Sequence, residues 1–572
     1  ARMGGNGERS PLLVGTSQRG GGTAARGAVL AAAALERAAF FSIAAKLGLF
    51  LSSTLGWGGT QASRASFFFL GAADLLAPVG GWFADVYLGC SGTVVLSFSL
   101  ALPVACVLPV SATPDGRLSL CGQPPAGTHR NCSRQGGGTC QGQLYCAPTI
   151  YTGLLLLALS VSSVRANLTP FAAQQVKDQG GGTTRSFFNW FYWSVSIGAV
   201  FSLLVVAFIQ PNIGFLAGYL IPVTCLALAL LIFLLGTPTF VTKPPTGSQV
   251  SAMIKLALKN CGCSWLRGTG DRPRTRRWEA GDPLPNSRAQ PGAPSPEQDL
   301  ANFQVLSRIL PVMLTFIPYR MVYSQMQSTY YLQGLHLHIP SIFQHGQDDA
   351  STLQDYTFPD VWLFLANTVA LLALIPLKDR VIDPFLARQK LLPSPLKQMA
   401  LGTFFGLTSI LAAGILEHER LRDGRRDQTM LQLLGKNRSE AAALPVWWQV
   451  PQYLLLGVSE LFTNIPGLEF AYTEAPRSMR GATTGLFIFT SGVGLLLGSG
   501  LWTLLSLPTH GWTRCPEDHG NITRCRLENY LLLLAGIQSI TCLLFLWISR
   551  RYRSQEQGDR GEGSPATAQG GL

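Results

Sequence analysis

Among the charged side chains that stand inside stretches otherwise apolar enough to cross a membrane, seven are the candidates for chemistry. They are Glu36, Arg37, Asp74, Arg165, Arg320, Glu460 and Glu469. An ionisable group is costly in hydrocarbon, so such residues usually line a path for ions or polar molecules. Carboxylates and guanidinium groups can exchange protons or hold the charged ends of a small polar molecule. The sequence therefore predicts a polar site within a membrane.

One carboxylate and one guanidinium should lie at the same depth. The first apolar span rises from one side of the membrane and the fourth descends to that side, which puts Glu36 and Arg165 in the same half of the bilayer. In a low dielectric the two groups would pair, and protonation of the carboxylate would release the pair. Two interpretations follow: a proton-operated switch, or a static ion pair that joins two helices.

The tenth span carries two glutamates. Glu460 and Glu469 are nine residues apart, which puts them on opposite faces of a regular helix unless Pro466 and Gly467 break it. Glu460 lies near mid-span, so we expect it to face a cavity, whereas a structural role is expected for Glu469. On the seventh span, a polar and aromatic stripe at helical spacing should face the same cavity or a neighbouring helix; it comprises Arg320, Tyr323, Gln327 and Tyr331.

The composition indicates an all-α membrane protein. Hydrophobic residues make up 47% of the 572 residues and charged residues only 13%. The net charge of +13 is concentrated in short connectors and tails, the pattern of cytoplasmic loops, and does not indicate nucleic-acid binding. Twelve spans of roughly 20 residues are predicted, near 29–53, 62–86, 92–112, 147–168, 187–209, 213–235, 304–332, 360–377, 396–417, 446–472, 480–506 and 528–549.

The spans form two groups of six, which is the major facilitator arrangement, with a site between the halves. We expect a cytoplasmic tail at 1–28, a six-helix bundle at 29–235, and a disordered cytoplasmic loop at 236–302. A second six-helix bundle at 303–549 and a cytoplasmic tail at 550–572 complete the prediction. The polar residues 1–27 lack an apolar core, so no cleaved signal peptide is expected.

Six of the twelve cysteines fall in the hydrophilic connectors expected to face a lumen. These disulfide candidates are Cys121, Cys132, Cys140, Cys146, Cys515 and Cys525, and the sequence does not give their pairing. Glycosylation sequons occur at Asn131, Asn437 and Asn521, also in these connectors. Both signals indicate an oxidising compartment on that side. No metal, nucleotide or nucleophile motif competes with the membrane interpretation, so neither an enzyme nor a cofactor is expected.

Several motifs resemble those of the proton-dependent oligopeptide transporter family. Leu35 to Phe41 (LERAAFF) is similar to the family's E-x-x-E-R signature, and Phe187 to Trp193 with Gly198 resembles its fifth-helix motif. Asn167 to Gln175 and Gly467 to Pro476 resemble motifs after the fourth helix and on the tenth. The resemblance runs from about residue 29 to 550. Trp447 to Tyr453 and Leu377 to Arg380 are most similar to its peptide/histidine transporter branch.

This resemblance implies proton-driven movement of histidine and di- or tripeptides, including muramyl dipeptide, from the endolysosomal lumen to the cytosol. Protons would be the co-substrate, and a cytosolic innate-immune signalling adaptor would be a possible partner. Proton coupling is expected at Glu36, Arg37 and Arg165. The expected substrate-binding residues are Glu460, Tyr323, Gln327, Trp448, Asn464 and Lys46, with Glu460 binding the substrate ammonium.

The chain also departs from the family's pattern. Ala33 replaces the first glutamate of the signature, and Ala44 replaces the arginine that holds a peptide carboxylate. Lys46 and Arg165 are then the candidates to bind that carboxylate. Further departures are Phe40, Phe41, Cys90, Ser196, Arg320 and Ser324. These changes keep an alternative open, in which the protein is a receptor or scaffold that binds ligand and recruits a cytosolic partner with little transport.

The N-terminal tail carries a sorting motif. Glu8 precedes the pair Leu12 and Leu13 by four residues, which is the form of an acidic dileucine signal read by clathrin adaptors. Together with the family resemblance, this motif predicts a lysosomal or late endosomal membrane location.

Overall fold

The computed structural model describes residues 18–121, 147–176, 181–242, 296–338, 362, 364–425, 429–434, 437–476, 478–505 and 526–562. In this part of the chain, nine helical stretches are long and apolar enough to cross a membrane. One of them, Gln61–Ala112, has 52 residues. A helix of that length measures roughly 78 Å, more than twice the hydrocarbon thickness of about 30 Å, so it contains two spans.

The first six long helices, some of them interrupted, come before residue 243. Helix α1 comprises Gln18–Ala44 and Leu47–Ser53, and α2 comprises Gly59–Leu75, Ala77–Phe83 and Ala84–Leu88. Helix α3 comprises Gly89–Ala105 and Val107–Ala112 and is followed by a short helix, Pro114–Cys121. Helix α4 is Ala147–Gln174. Helix α5 comprises Gly181–Phe201, Ser202–Val206 and Ala207–Asn212, and α6 is Phe215–Gly236.

Six further long helices follow residue 295. Helix α7 comprises Pro296–Leu314, Phe316–Tyr323, Ser324–Gln327 and Thr329–Leu335, and α8 comprises Leu365–Leu377, Lys378–Ile382 and Asp383–Arg388. Helix α9 is Pro395–Arg425, and α10 comprises Val446–Gln449 and Val450–Thr473. Helix α11 is Arg480–Leu505 and α12 is Leu527–Glu562. The predicted set of twelve helices is present. We call the end of the bundle where α1 begins the base, and the end near Ser53 the mouth.

Buried apolar residues form separate cores in the two halves of the sequence. One cluster contains only residues between Ala25 and Phe240, and two others contain only residues between Ile309 and Phe545. A fourth cluster joins the halves near the base, where Ala173 and Phe188 pack with Ile375 and others. Large apolar side chains remain exposed along the outer faces of the helices, as expected for a surface covered by lipid.

A small sheet at the mouth was not predicted. Strand β1 (Leu337–His338) pairs in parallel with β3 (Asn437–Pro445), which pairs antiparallel with β2 (Thr429–Leu434). No strand was expected between the predicted spans 396–417 and 446–472, whereas the described residues between them form the end of α9 and the strands β2 and β3. The many charged residues of 418–445 do not alternate with apolar residues, so the sequence contains no signal for strands there. Next to the sheet, burial and then the nearby Arg420 lower the pKa of His336. Protonation of this imidazole as the pH falls therefore works against its packing.

Several helices extend beyond the predicted spans. Helix α1 begins at Gln18, where a span from residue 29 was predicted, because Ala25 is already fully packed in the core. Helix α9 continues to Arg425, supported by the ion pairs of Arg420 with Glu417 and of Arg422 with Glu419. Helix α12 continues to Glu562. Residues 1–17, 243–295 and 563–572, which include most of the predicted loop, lie outside the described residues. The prediction of a disordered loop over 236–302 is wrong at its ends, where Thr237–Thr239 form a 3₁₀ turn and α7 begins at Pro296.

Candidate functional site

A cavity of about 670 Å³ lies between the two halves. Its lining on α1 runs from Ala33 to Ser52, and on α2 from Gly59 to Asp74. The cavity thus extends from the middle of the bundle to the mouth. Phenylalanines supply much of its apolar wall: Phe40, Phe41, Phe67, Phe191, Phe364 and Phe487. The charged side chains in the wall are Glu36, Arg37, Lys46, Asp74, Arg165, Arg320 and Glu460, which include six of the seven charged residues singled out in the sequence.

Glu460 is held by neutral donors. The hydroxyl of Tyr192 donates to Oε1, and that of Tyr323 donates to Oε2 at 2.8 Å. The amides of Asn367 and Asn464 donate at 3.0 and 3.3 Å. No cation of the described residues pairs with this carboxylate. Beside it, the amide oxygens of Asn367 and Asn464 are buried without a donor. The amide oxygen of Asn367 packs against Gly457, so the arrangement presents one negative charge and the amide oxygen of Asn464 to a ligand.

Helix α10 positions Glu460 and sends Glu469 elsewhere. The helix continues through Pro466 as far as Thr473, so the nine-residue spacing puts the two glutamates on opposite faces. Glu469 does not line the cavity and pairs with Arg185 of α5 at 3.5 Å. Gly467 allows close packing of α10 on α11, because an added Cβ would lie 2.3 Å from the ring of Phe487.

Arg165 joins two other carboxylates that line the cavity. Its Nε lies 3.3 Å from Glu36 and its Nη1 lies 3.2 Å from Asp74. The guanidinium also lies over the ring of Phe40, 3.8 Å from its centre. Arg37 makes a longer contact of 3.9 Å with Glu36. The predicted pair of Glu36 and Arg165 is present, and it includes Asp74 as a third member.

Close packing of α5 on α1 holds this cluster in place. Ser194 Oγ donates to the carbonyl of Leu30 at 2.5 Å. Farther along α5, a Cβ added at Gly198 would lie 2.0 Å from the carbonyl oxygen of Ala34. The glycine of the fifth-helix motif is therefore required by the contact between two backbones, next to Glu36.

The polar stripe of α7 faces the cavity in part. Arg320, Tyr323 and Tyr331 line it. Gln327 ends the 3₁₀ turn Ser324–Gln327, which interrupts the regular helical spacing, and its side chain lies outside the described part of the structure. Lys46 and Asn464 also line the cavity. Trp448 does not, since it is 61% exposed at the mouth end of α10, a position that does not support substrate contact.

Polar contacts close the base between α5 and α8. Asp379 accepts hydrogen bonds from Ser186 at 3.0 Å, Asn189 at 2.8 Å and Trp190 at 2.9 Å. Lys378 lies 3.0 Å from Asp383 and 3.4 Å from Asn189. The fifth-helix motif and the segment Leu377 to Arg380 thus meet in one contact.

A second contact closes the base between α2 and α11. Asp85 accepts from the backbone N–H groups of Gly481 at 3.3 Å and Ala482 at 2.8 Å, at the start of α11, where a carboxylate is favoured. The backbones touch nearby, because a Cβ added at Gly81 would lie 2.2 Å from the carbonyl oxygen of Gly481. With both contacts formed, the base is closed while the cavity reaches the mouth.

The remaining predicted sites cannot be placed in this geometry. The sorting signal (Glu8, Leu12, Leu13), the sequons at Asn131 and Asn521, and Cys132, Cys140, Cys146, Cys515 and Cys525 lie outside the described residues. Asn437 begins β3 and Cys121 ends the short helix after α3, but neither side chain is described.

Comparisons with known proteins identify the family. The family model described as "POT family" matches residues 93–516. The chain is 53% identical over 577 residues to rat solute carrier family 15 member 3 (peptide/histidine transporter 2), covering 99% of this chain and 98% of the relative. The chain belongs to the POT family.

Solved structures of POT family members share the fold. An auto-inhibited POT family peptide transporter aligns with a TM-score of 0.60 at 19% identity, covering 92% of this chain and 97% of that one. The transporter PepTSo aligns with a TM-score of 0.60 at 18% identity, covering 93% and 98%. These matches confirm the predicted twelve-helix major facilitator fold. The protein is a membrane transporter of the proton-dependent oligopeptide class and not an enzyme.

The cavity also contains polar residues that were not predicted from the sequence as members of the site. Tyr192 and Asn367 hold Glu460, and Asp74 completes the Arg165 cluster. Asp74 was noted only as a charge within a span. Tyr192 lay inside the recognised fifth-helix motif, but its partner is 268 residues away in the sequence. Asn367 had no signal beyond its position in an apolar span.

Proposed function

We propose that this POT family member carries histidine and di- or tripeptides, including muramyl dipeptide, from the endolysosomal lumen to the cytosol with protons. The observation that carries the proposal is Glu460, a buried carboxylate in the cavity that has four neutral donors and no cation of the described residues beside it. The ammonium group of a substrate supplies the missing charge. One of its N–H groups can also donate to the free amide oxygen of Asn464.

The Arg165 cluster is the proposed proton site. Arg165 holds Glu36 and Asp74 through charge-assisted contacts, and protonation of either carboxylate weakens its contact. Both carboxylates line the same cavity as Glu460, so protons and substrate enter from the mouth. With both chain ends in the cytosol, the mouth faces the acidic lumen, which supplies the proton gradient.

Recognition of histidine uses the aromatic wall. Imidazole is largely protonated in an acidic lumen, and a cation over an aromatic face is attracted to it. Tyr323 lies in the cavity wall and Gln327 follows one turn later on α7. We expect both to contact the ring of a bound histidine.

Flux through purified protein tests this function. The full-length chain is reconstituted in liposomes, and uptake of labelled histidine and of a dipeptide is measured with the exterior at acidic pH. We expect accumulation that a protonophore abolishes. The matched variants Glu36→Gln and Glu469→Gln should separate coupling from structure, because only Glu36 lies in the cavity.

A receptor or scaffold is the second candidate. It is favoured by Ala33 and Ala44, which line the cavity where the family resemblance implies a carboxylate and an arginine. In that case ligand binds at Glu460 with little movement across the membrane, and the bound state recruits a cytosolic signalling adaptor. Saturable binding without protonophore-sensitive flux in the same liposomes would favour this candidate over the transporter.

The proposed endolysosomal location depends on the motif of Glu8, Leu12 and Leu13. We expect the double variant Leu12→Ala, Leu13→Ala to move the protein to the cell surface, because clathrin adaptors would no longer bind the leucine pair. Surface biotinylation and imaging measure the shift. Unchanged endolysosomal staining would remove this part of the proposal.

A further inference from the structure

Arg320 is a cavity cation that forms no ion pair with a described residue, although Asp74, the partner of Arg165, is near enough to interact with it electrostatically. The residue lies on α7, is 6% exposed and lines the cavity. Its Nε is buried with no hydrogen-bond acceptor, and neither a hydrogen bond nor an ion pair to a described residue is made by its guanidinium. A buried charge without a partner destabilises a protein, so a residue of this kind is normally completed by a ligand.

The surroundings of Arg320 orient its side chain without neutralising it. The guanidinium lies 5.1 Å from the ring centre of Phe487 and 5.9 Å from that of Tyr319. Aromatic faces attract a cation but offer no acceptor in the plane of the guanidinium. The backbone is fixed as well, because a Cβ added at Gly494 of α11 would lie 2.4 Å from the Cβ of Arg320. The cation is held in place and its hydrogen-bond donors remain available to the cavity.

The other arginines that line the cavity each have a carboxylate within 4 Å, although Arg37 Nε, like Arg320 Nε, is buried without a hydrogen-bond acceptor. Arg165 is shared between Glu36 and Asp74, and Arg37 contacts Glu36. Glu460, in the same cavity, has the complementary property, since it is a carboxylate surrounded only by neutral donors. The two are linked through α7: Tyr323, which donates to Glu460, follows Arg320 by three residues, an axial rise of about 4.5 Å.

We propose that Arg320 binds the carboxylate of the same substrate whose ammonium group binds Glu460. This inference rests on the proposed function and specifies its substrate class: amino acids and short peptides with a free amino group and a free carboxyl group. It assigns the carboxylate to neither Lys46 nor Arg165, the two candidates from the sequence. It also gives a reason for the departure at Ala44, because the anchoring cation has a different position, on α7.

Substrate binding and proton binding then involve different helices that line one cavity. Both charged ends of the substrate bind to α7 and α10, which belong to the second half of the chain. The cluster of Glu36, Asp74 and Arg165 on α1, α2 and α4 then stays free for protons.

The test compares three forms of one histidine-containing dipeptide: the free acid, its C-terminal amide and its N-acetyl derivative. Binding is measured to full-length protein in nanodiscs for wild type, Arg320→Gln and the matched control Lys46→Gln. We expect wild type to bind the acid about 10- to 100-fold more tightly than the amide, the range of a charge-assisted hydrogen bond. In Arg320→Gln the acid and the amide should bind almost equally, and the N-acetyl derivative should still bind more weakly than the free amine. Lys46→Gln should keep both the preference for the acid and the preference for the free amine.

The assignment would be overturned if Arg320→Gln kept the preference for the acid over the amide, or if Lys46→Gln lost that preference instead. A wild type that binds acid and amide equally would also overturn it. Arg320→Lys is expected to retain part of the preference for the acid, since it keeps the charge but not the planar fork.

Melting temperature separates a ligand-binding role from a structural one. Because the unpaired charge is removed, substrate-free Arg320→Gln should melt at the same temperature as wild type or higher, with a smaller rise on adding the acid. A lower melting temperature together with an unchanged acid-to-amide ratio would show that Arg320 only supports the fold. The flux assay remains independent: an Arg320-dependent ratio without proton-driven flux would defeat the transport proposal and leave this inference intact.

Discussion

Two carboxylate sites line the cavity, and they are built in opposite ways. Glu460 is held by two tyrosine hydroxyls and two amides, all of them uncharged. Glu36 and Asp74 instead contact the guanidinium of Arg165 at 3.3 and 3.2 Å. The first site keeps a negative charge that nothing in the described structure neutralises. In the second, the charges cancel in part until a proton arrives.

This difference indicates what each site can exchange. A carboxylate with neutral donors stays oriented and attracts an external cation, which suits an ammonium group. A carboxylate in an ion pair gives up its partner only when it is protonated, which suits a proton-dependent change of structure. We therefore propose two roles for the same residue type in one cavity, with the neighbouring groups of each carboxylate determining its role.

The largest effect is expected at Glu460. Glu460→Gln removes the charge that binds the substrate ammonium, and affinity should fall at least about 100-fold, or about 3 kcal/mol. The control Glu469→Gln changes a carboxylate on the same helix that lies outside the cavity, and should change affinity little. Equilibrium binding of a dipeptide measures both. Equal losses, or a greater loss in Lys46→Ala than in Glu460→Gln, would contradict ammonium-first recognition.

Glu36→Gln should separate proton-driven uptake of substrate from its exchange across the membrane. The amide imitates the protonated carboxylate and cannot release a proton, so acid-driven uptake should be abolished while exchange of substrate across the membrane is partly retained. Uptake and counterflow in the same liposomes measure the two activities. If both fall by the same factor, the cluster around Arg165 is a structural ion pair and the contrast with Glu460 disappears.

Asp74→Asn should have a smaller effect on the same cluster. Arg165 keeps its contact with Glu36, and the side chain of Asp74 is 23% exposed to the cavity compared with 4% for Glu36. We expect driven uptake to fall about 10-fold, the scale of one hydrogen bond to a charged group, with exchange unchanged. A loss as complete as that of Glu36→Gln would mean that the two carboxylates titrate as one unit.

The smallest effect is expected from the neutral donors. Tyr323→Phe removes one of the hydrogen bonds that orient Glu460, and should weaken dipeptide binding about 3- to 10-fold. Tyr330→Phe is the control, because that hydroxyl bonds Ser409 and does not face the cavity. Tighter binding in Tyr323→Phe would show that the tyrosine competes with the substrate for the carboxylate.

The sequence predicted the parts of this site that depend on the energetic cost of burying a charge and on the spacing of residues along a helix. Charge inside an apolar span identified Glu36, Arg165 and Glu460, and helical arithmetic put Glu460 and Glu469 on opposite faces. Span counting predicted the twelve helices. These inferences hold because burial of charge and helical periodicity are local properties of the chain.

Partners distant in the sequence could not be predicted in the same way. Asn367 and Tyr192 meet Glu460 only after the halves pack together, and an asparagine or a tyrosine in an apolar span has many other uses. Likewise, the contacts of Asp379 with α5 depend on two motifs that are about 190 residues apart. The exposed position of Trp448 follows from the 3₁₀ turn Val446–Gln449, which the motif alone did not indicate.

The seam at the base, where Gly81 meets Gly481 and Asp85 caps α11, has a kinetic consequence. Two backbones in contact leave no gap for water, so occupancy of the cavity is decided before the seam parts. This seam and the Asp379 contacts together separate the cavity from the base, so a molecule bound in the cavity can leave on that side only after both have opened. A methyl group at either glycine would force the two backbones apart, so we expect Gly81→Ala or Gly481→Ala to weaken the closure of the base.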